Sequence, residues 1–388
     1  MTEETASAIA APLQWTKAIN ASYFINSAAI SGDGSRVVAG TFFHSYGDDA
    51  RMVGSLANSG TFGTYCFDRT GNQLWADTFD GFEGVYWTAI SADGSIAASG
   101  GWFSQQPTYQ GFVRAYSAAD GAMLLNYNPP DRVNTVVLSA DGQTLVAAAD
   151  NVYLFQQQNG AFSATPAIYQ LGANNTAQSV SVSADGQWIV AADYNGKVYL
   201  IENNNGQIGS VYTWSSPVAK TLHSVAMAAG GEWFTVGGND SHVYLFSVAA
   251  MIANQQPTGN YQLNTGGSIY GVAISADGTY LSALGNSGET GVVYALQNNG
   301  GVPAQLWRQT TLRNPNLTSL DAAGKYVSVA DGHPDGTPGN FYLFDRLSGN
   351  QLWVYNTDNM SWAMQISADA SGIIAGSDTG SVYYFTPQ

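Results

Sequence analysis

The chain is predicted to be all-β: an eight-bladed β-propeller of four-stranded antiparallel blades, closed by an N-terminal strand that completes the last blade. Three observations predict it: a phrase repeated at a nearly fixed step, a shared strand grammar inside each step, and a composition suited to short strands. The phrase is Ile-Ser-Ala-Asp-Gly. It stands with small variations at Ile30, Ile90, Leu138, Val182 and Ile274, and in worn form at Met227, Asp321 and Ile366. Its fourth position falls at 33, 93, 141, 185, 230, 277, 323 and 369, in steps of 60, 48, 44, 45, 47, 46 and 46 residues. Four-stranded units of this length in tandem form radial arrays.

Within each copy the elements follow in one order. Strand a is a short run such as Val180-Ser-Val-Ser, ending in Asp-Gly, a hairpin turn in which both residues tolerate positive φ. Strand b is small and apolar, as in Trp188-Ile-Val-Ala-Ala. Strand c is aromatic: Tyr65-Cys-Phe, Val152-Tyr-Leu-Phe, Val198-Tyr-Leu-Ile, Val243-Tyr-Leu-Phe, Val293-Tyr-Ala-Leu, Phe341-Tyr-Leu-Phe and Val382-Tyr-Tyr-Phe, with Val113-Arg-Ala-Tyr in the second copy. Strand d often reads Gln-Leu-Trp, at Gln73, Gln305 and Gln351. The last copy stops after strand c at Phe385-Thr-Pro-Gln388, and Leu13-Gln14-Trp15 resembles the strand d it lacks. The N-terminal segment should therefore complete that blade and hide two sheet edges. Residues 1–388 are read as one propeller domain, with 1–11 a flexible extension.

Composition agrees and narrows the function. Only 10% of residues are charged, against 44 glycines, 22 Tyr, 16 Phe and 10 Trp. A helical protein needs more Glu and Lys on its outer faces, and a disordered chain could not carry so many rings. With 12 Lys+Arg against 28 Asp+Glu, the net charge of −16 repels phosphate backbones and anionic membrane surfaces, so nucleic-acid binding and membrane insertion are not expected. No apolar run reaches the 18 or so residues of a membrane span. The N-terminus shows no secretion signal, while the low Lys content and the Asn/Gly/Ser-rich surface lean towards an extracytoplasmic, bacterial setting.

The segments Phe67-Asp-Arg-Thr-Gly-Asn-Gln-Leu-Trp75 and Phe344-Asp-Arg-Leu-Ser-Gly-Asn-Gln-Leu-Trp353 resemble the tryptophan-docking motif of quinoprotein dehydrogenase propellers and their cofactor-free PQQ-like relatives. The intervening copies, with Ser-Ala-Asp-Gly ahead of strand b, look closer to WD40-like bacterial repeats. The quinoprotein resemblance would imply pyrroloquinoline quinone over the channel, a Ca²⁺ held by Glu, Asn and Asp, an Asp base and a disulfide between adjacent cysteines. With Cys66 alone the disulfide is impossible, and no blade shows the metal set, so no cofactor or metal is expected and no catalytic residue carries over.

Other chemistry is sparse. His44, His223, His242 and His333 are scattered, with no zinc spacing, nucleophile elbow or phosphate loop. Asp331-Gly-His-Pro-Asp335-Gly places two carboxylates and an imidazole in one loop, and reads as a turn with solvated Asp residues rather than a cation site. Cys66, in an aromatic strand, reads as a buried small hydrophobe.

Two positional features point to a binding face. The b–c connections of blades one, two, six and seven are the longest, running through His44–Gly63, Trp102–Tyr109, Gly285–Glu289 and Asp331–Gly339. They are neighbours around the ring, and loops on a rigid scaffold carry recognition. Aligning the start of strand a gives Asn26, Tyr86, Asn134, Gln178, His223, Tyr270, Leu317 and Trp362, which should ring the channel mouth. Trp87, Glu83, Asp131, Arg132 and Lys220 flank them. Asn26, Tyr86, Trp87, Asn134, Gln178, His223, Tyr270 and Trp362 are the expected ligand-binding residues, a polar and aromatic mix suited to a small polar or sugar-binding funnel. The function expected is a non-catalytic binding or scaffold propeller with a protein or neutral glycan partner. The alternative is an enzyme at the same mouth, quinoprotein-like oxidoreductase or lyase/hydrolase, with His223 as base beside Glu83 or Asp131.

Overall fold

The computed structural model describes residues 9–20, 23–43, 60–81, 83–105, 108–263, 267–287, 290–333 and 337–388. The chain folds as a β-propeller. The fourth repeat is typical, with strands Ala177–Val182, Trp188–Asp193, Lys197–Asn204 and Gln207–Ser215 paired antiparallel in chain order. In the last repeat Ser361–Ile366, Ile373–Ser377 and Ser381–Phe385 pair in turn, and Leu13–Ala18 adds the outer strand by pairing with Ser381–Phe385. Among the described residues no helix is long and apolar enough to cross a membrane.

The recurring phrase acts through its hydrogen bonds. In the fourth repeat Ser183 Oγ donates to Asp185 Oδ1 at 2.6 Å and accepts the Trp188 amide at 2.9 Å, while Asp185 Oδ1 also accepts the Gln187 amide at 3.0 Å. Only the glycine takes positive φ, +72° at Gly186, whereas the Asp stays in ordinary backbone space. The turn is therefore not the two-residue hairpin expected from Asp-Gly. It is a side-chain-capped turn followed by one left-handed residue.

These turns also bond to one another across repeats. Gly32 N–H donates to Ala92 O, Asp93 to Ala140, Ala140 to Ala184, Ala184 to Ala229, Gly230 to Ala276, Ala276 to Ala322, and Ala322 to Ala368. Asp369 N–H then returns to Gly32 O at 3.0 Å, closing the circuit. The innermost strands of neighbouring repeats are linked by hydroxyls instead: Ser27 Oγ accepts the Thr88 amide, Ser181 Oγ the Met227 amide, Ser224 Oγ the Val272 amide and Ser319 Oγ the Ile366 amide. Small hydroxyl residues supply the partners that these inner edges would otherwise lack.

On the outside, indoles do the joining. Trp15 Nε1 donates to Arg69 O at 2.9 Å, Trp75 Nε1 to Ala118 O at 3.0 Å, and Trp307 Nε1 to Arg346 O at 2.6 Å, each reaching the c–d turn of the next repeat. Gly71, at φ +84°, lies under Trp15 so closely that a Cβ would stand 2.9 Å from the ring. This contact explains the spacing of the Thr-Gly-x-x-Leu-Trp segments: the glycine seats the indole of the preceding repeat, and the tryptophan docks on the following one.

Several expectations change. Ile9–Ala10, inside the segment read as a flexible extension, pairs in parallel with Trp353 and Val354 on the outer edge of the seventh repeat. Residues 1–8 lie outside the described residues. The long b–c connections of the second and sixth repeats are largely extended strand: Ile96–Gln105 pairs with Thr108–Ser117, and Tyr280–Ser287 with Thr290–Asn299. The insertion in the first repeat, 44–59, lies outside the described residues, as do 106–107, 288–289 and 334–336. Among the described residues the helix Val248–Asn254, capped by Ser247 Oγ on the Ala250 amide, was also not anticipated.

Cys66 is fully buried, and burial pushes its thiol up to about 12. The folded protein is expected to react negligibly with a thiol-specific disulfide reagent at pH 8 and stoichiometrically in denaturant. Rapid labelling of the native state would contradict this burial.

Candidate functional site

The side chains aligned at the start of strand a are aimed by a shared local irregularity. In every repeat but the third, the a–b pairing skips at this point, between Ile25 and Ser27, Val85 and Trp87, Ala177 and Ser179, Leu222 and Ser224, Ile269 and Val272, Pro315 and Leu317, and Ser361 and Ala363. A bulge re-aims the extra side chain out of the sheet. The skipped residues include Asn26, Tyr86, Gln178, His223, Tyr270 and Trp362, and in the third repeat Asn134 stands just before strand Thr135–Leu138.

The seventh repeat corrects the alignment. The skipped residue there is Asn316, not Leu317. Asn316 Nδ2 donates to Ser361 O at 2.7 Å, the same bond to the next repeat that Asn26 Nδ2 makes with Tyr86 O at 2.7 Å and Asn134 Nδ2 with Ala177 O at 2.8 Å. These three asparagines tie neighbouring inner strands together, so one N–H of each amide is already committed.

All eight expected ligand-binding residues, Asn26, Tyr86, Trp87, Asn134, Gln178, His223, Tyr270 and Trp362, line one central cavity of about 630 Å³. Leu317 and Asn316 line it too, as do Asn286 and His333 from the b–c connections of the sixth and seventh repeats. Asn286 and His333 lie in two of the long b–c connections expected on the binding face, whereas Asn314, Asn316 and Gln365 were missed. A correctly phased alignment reveals Asn316, but no local signal marks Asn314 or Gln365.

Of the flanking residues named with the ring, only Trp87 lines the cavity; Glu83, Asp131, Arg132 and Lys220 do not. Arg132 lies over the Tyr86 ring at 4.7 Å and donates from Nε to Asn134 Oδ1 at 3.1 Å. Burial raises the Glu83 carboxyl, opposed by the Arg132 charge. His223 lies tilted against Tyr270, with ring centroids 5.0 Å apart, and meets Asn239 Oδ1 through Nε2 at 2.7 Å. Burial holds its imidazole below its ordinary range, with the Asn239 bond opposing. The His223–Glu83 or His223–Asp131 pair of the enzyme alternative is thus not assembled: the histidine's side-chain partner is an amide, not a carboxylate.

Asp331 is not the solvated carboxylate expected of its loop. It is fully buried and accepts Asn340 Nδ2 and the Tyr342 hydroxyl at 2.8 Å each, and the Arg313 amide at 3.0 Å. Asp193 and Asp240 hold Tyr199 and Tyr244 at 2.8 and 2.7 Å in the same manner, so the residue is a recurring strut between strands b and c. Asp335 lies outside the described residues.

A quinone cofactor fits this cavity poorly. Among the described residues no Asp, Glu, Lys or Arg lines it, so the carboxylate ligands that the resemblance implies for Ca²⁺, and a cationic side chain to pair with the carboxylates of pyrroloquinoline quinone, are missing there. Among the described residues no cluster of three His, Cys, Asp or Glu could hold a metal.

Fold and site together define a β-propeller with a cavity over its axis that, among the described residues, no Asp, Glu, Lys or Arg lines. The chain belongs to the PQQ-like family described as outer membrane protein assembly factor BamB, whose profile matches residues 63–265, just over half its length. Similar solved structures include Sqt1 from Chaetomium thermophilum, at 13% identity, TM-score 0.71 and coverage of 97% of this chain and 98% of that one. Sqt1 bound to the N-terminus of ribosomal protein L10 matches at 14% identity and TM-score 0.70, covering 98% and 99%. At such identities the likeness is one of fold. No curated protein matches the chain.

Proposed function

We propose that this chain is a single eight-bladed, non-catalytic propeller that binds a protein or neutral glycan partner through the face on which the central cavity opens. The observation that carries the reading is the convergence of bulged polar and aromatic side chains on one uncharged cavity, without an acid–base pair beside His223. The circuit of turn-to-turn bonds supports the blade count. Assembly is named in the family's description, and one structural neighbour is bound to a ribosomal protein segment, which supports a protein partner. An excess of Asp and Glu over Lys and Arg disfavours polyanionic partners. An extracytoplasmic setting belongs to the same reading, supported by the low Lys content and the outer-membrane description of the family.

The test is a triple variant, Tyr86→Ala, Tyr270→Ala and Trp362→Ala, checked for folding by circular dichroism. Partner capture from native extract, or binding on a glycan array, is expected to fall at least about tenfold. Unchanged profiles in a folded triple variant would sink the site assignment.

A further inference from the structure

The lining of the cavity narrows what it can hold. Among the described residues no Lys, Arg, Asp or Glu lines this wall, although the chain has 12 Lys+Arg and 28 Asp+Glu. An ion leaving water for this wall would meet no carboxylate, ammonium or guanidinium among the described residues, only the imidazoles of His223 and His333, which disfavours carboxylates, phosphates, amines and zwitterions. What the wall offers is ring faces and neutral hydrogen-bonding groups. Tyr270 is 46% exposed, and its ring stands beside His223.

Two amides on the wall, Gln178 and Asn314, each keep one atom, Nε2 and Oδ1, shielded from solvent and without a hydrogen-bond partner among the described residues, so that each would meet a ligand by rotating its terminal amide. An orphaned donor and acceptor each cost about 1–3 kcal/mol, and such costs persist where a ligand offsets them. The backbone offers little to an extended peptide. Inner-strand amides of Thr88, Met227 and Val272 are spent on hydroxyls of the preceding repeat, leaving side chains to do the recognising.

We infer that the cavity is a site for a neutral saccharide, a hexose-class ring whose apolar face lies on Tyr270 and whose hydroxyls meet the amides of Gln178 and Asn314. The volume of about 630 Å³ is within the range of small-ligand sites. This assignment rests on the binding-face reading above but concerns the cavity alone.

The experiment is isothermal titration of the full chain with glucose, galactose, N-acetylglucosamine and cellobiose, each to about 20 mM, with glucuronate and glucosamine as charged counterparts. The variants are Tyr270→Ala, at a half-exposed position, and Gln178→Leu, which removes an unpaired donor; neither should unfold the ring. At least one neutral sugar is expected to bind, at least about tenfold more weakly in each variant, and its charged counterpart at least about tenfold more weakly still. Silence from all four neutral sugars overturns the assignment, as does equal binding of glucuronate or an affinity unchanged in both variants. Protein capture is measured in parallel. Capture that survives while every sugar is silent leaves the binding face standing and removes the saccharide. Sugar binding without capture of any protein does the reverse to the protein-partner reading.

Discussion

Gly376→Val is expected to prevent stable closure of the ring. Gly376 lies on strand Ile373–Ser377 of the last repeat, where a Cβ would stand 2.3 Å from Ile25 Cγ2 and 2.9 Å from the Ile25 carbonyl oxygen in the first repeat. Ile25 is itself fully buried, so neither its branched side chain nor its backbone can yield. Gly40 against Val85, Gly100 against Val133 and Gly237 against Ile269 repeat the contact at other junctions, with approaches of 2.3, 2.6 and 2.5 Å. Strand b is kept small because the neighbouring strand a is branched and close. Overpacking a well-filled core costs about 1–3 kcal/mol, and a branched side chain against backbone should exceed that range. The loss is read as a lower denaturant midpoint, with expanded or associated species on size exclusion. Gly230→Val serves as the control, because no atom lies within 4 Å of its Cβ position. Equal midpoints for the two variants would show that the junction has slack.

Asp378→Asn is expected to stabilise the protein at alkaline pH. Asp378 is 6% exposed, its Oδ1 has no hydrogen-bond partner, and burial pushes its carboxyl up to about 7, with the Trp362 indole as an opposing hydrogen-bond partner. The folded state therefore holds this proton at pH values where the unfolded chain, with the ordinary 3.8, has lost it. Stability falls as pH rises from about 4 to about 7 and is level with respect to this group above that. An amide keeps an oxygen for the indole and removes the buried charge. The expected gain at pH 8 is on the order of 2–4 kcal/mol, shrinking towards zero near pH 4. Urea melts of both proteins at the two pH values measure it. A variant less stable than its parent at pH 8 would mean that the ionised carboxylate has a favourable partner.

The propeller was legible because its rules are local and repeated. Ser-x-Asp-Gly announces a turn through bonds within a few residues, and Gly-x-x-Leu-Trp announces a dock that needs only the next repeat. The position of the cavity ring was legible for the same reason, as a fixed offset from that turn. The meaning of individual ring members was not. Asn26 and Asn134 look like ligand groups in sequence, yet their donors serve the neighbouring repeat. Leu317 stood in for Asn316 because the worn phrase at Asp321 shifted the offset by one. Helix Val248–Asn254 had a visible cap in Ser247 and good formers in Ala-Ala-Met, but the all-strand grammar of the repeats hid it. The environment of Asp331 depends on Tyr342, eleven positions away, and no turn rule reaches that far.

The strand Leu13–Ala18 has a consequence for biosynthesis. Its pairing with Ser381–Phe385, and the bond from Gln14 to Thr386 across 372 positions, join strands from opposite ends of the repeat array. Inner repeats can form hairpins as they leave the ribosome, since their contacts are local. This junction cannot form until the last repeat has emerged. Until then Leu13–Ala18 is an unpaired strand bearing Trp15, and the partly made protein presents an open sheet edge at each end. Holding those two edges apart from other chains during synthesis is therefore a requirement of the architecture, separate from whatever the finished ring binds.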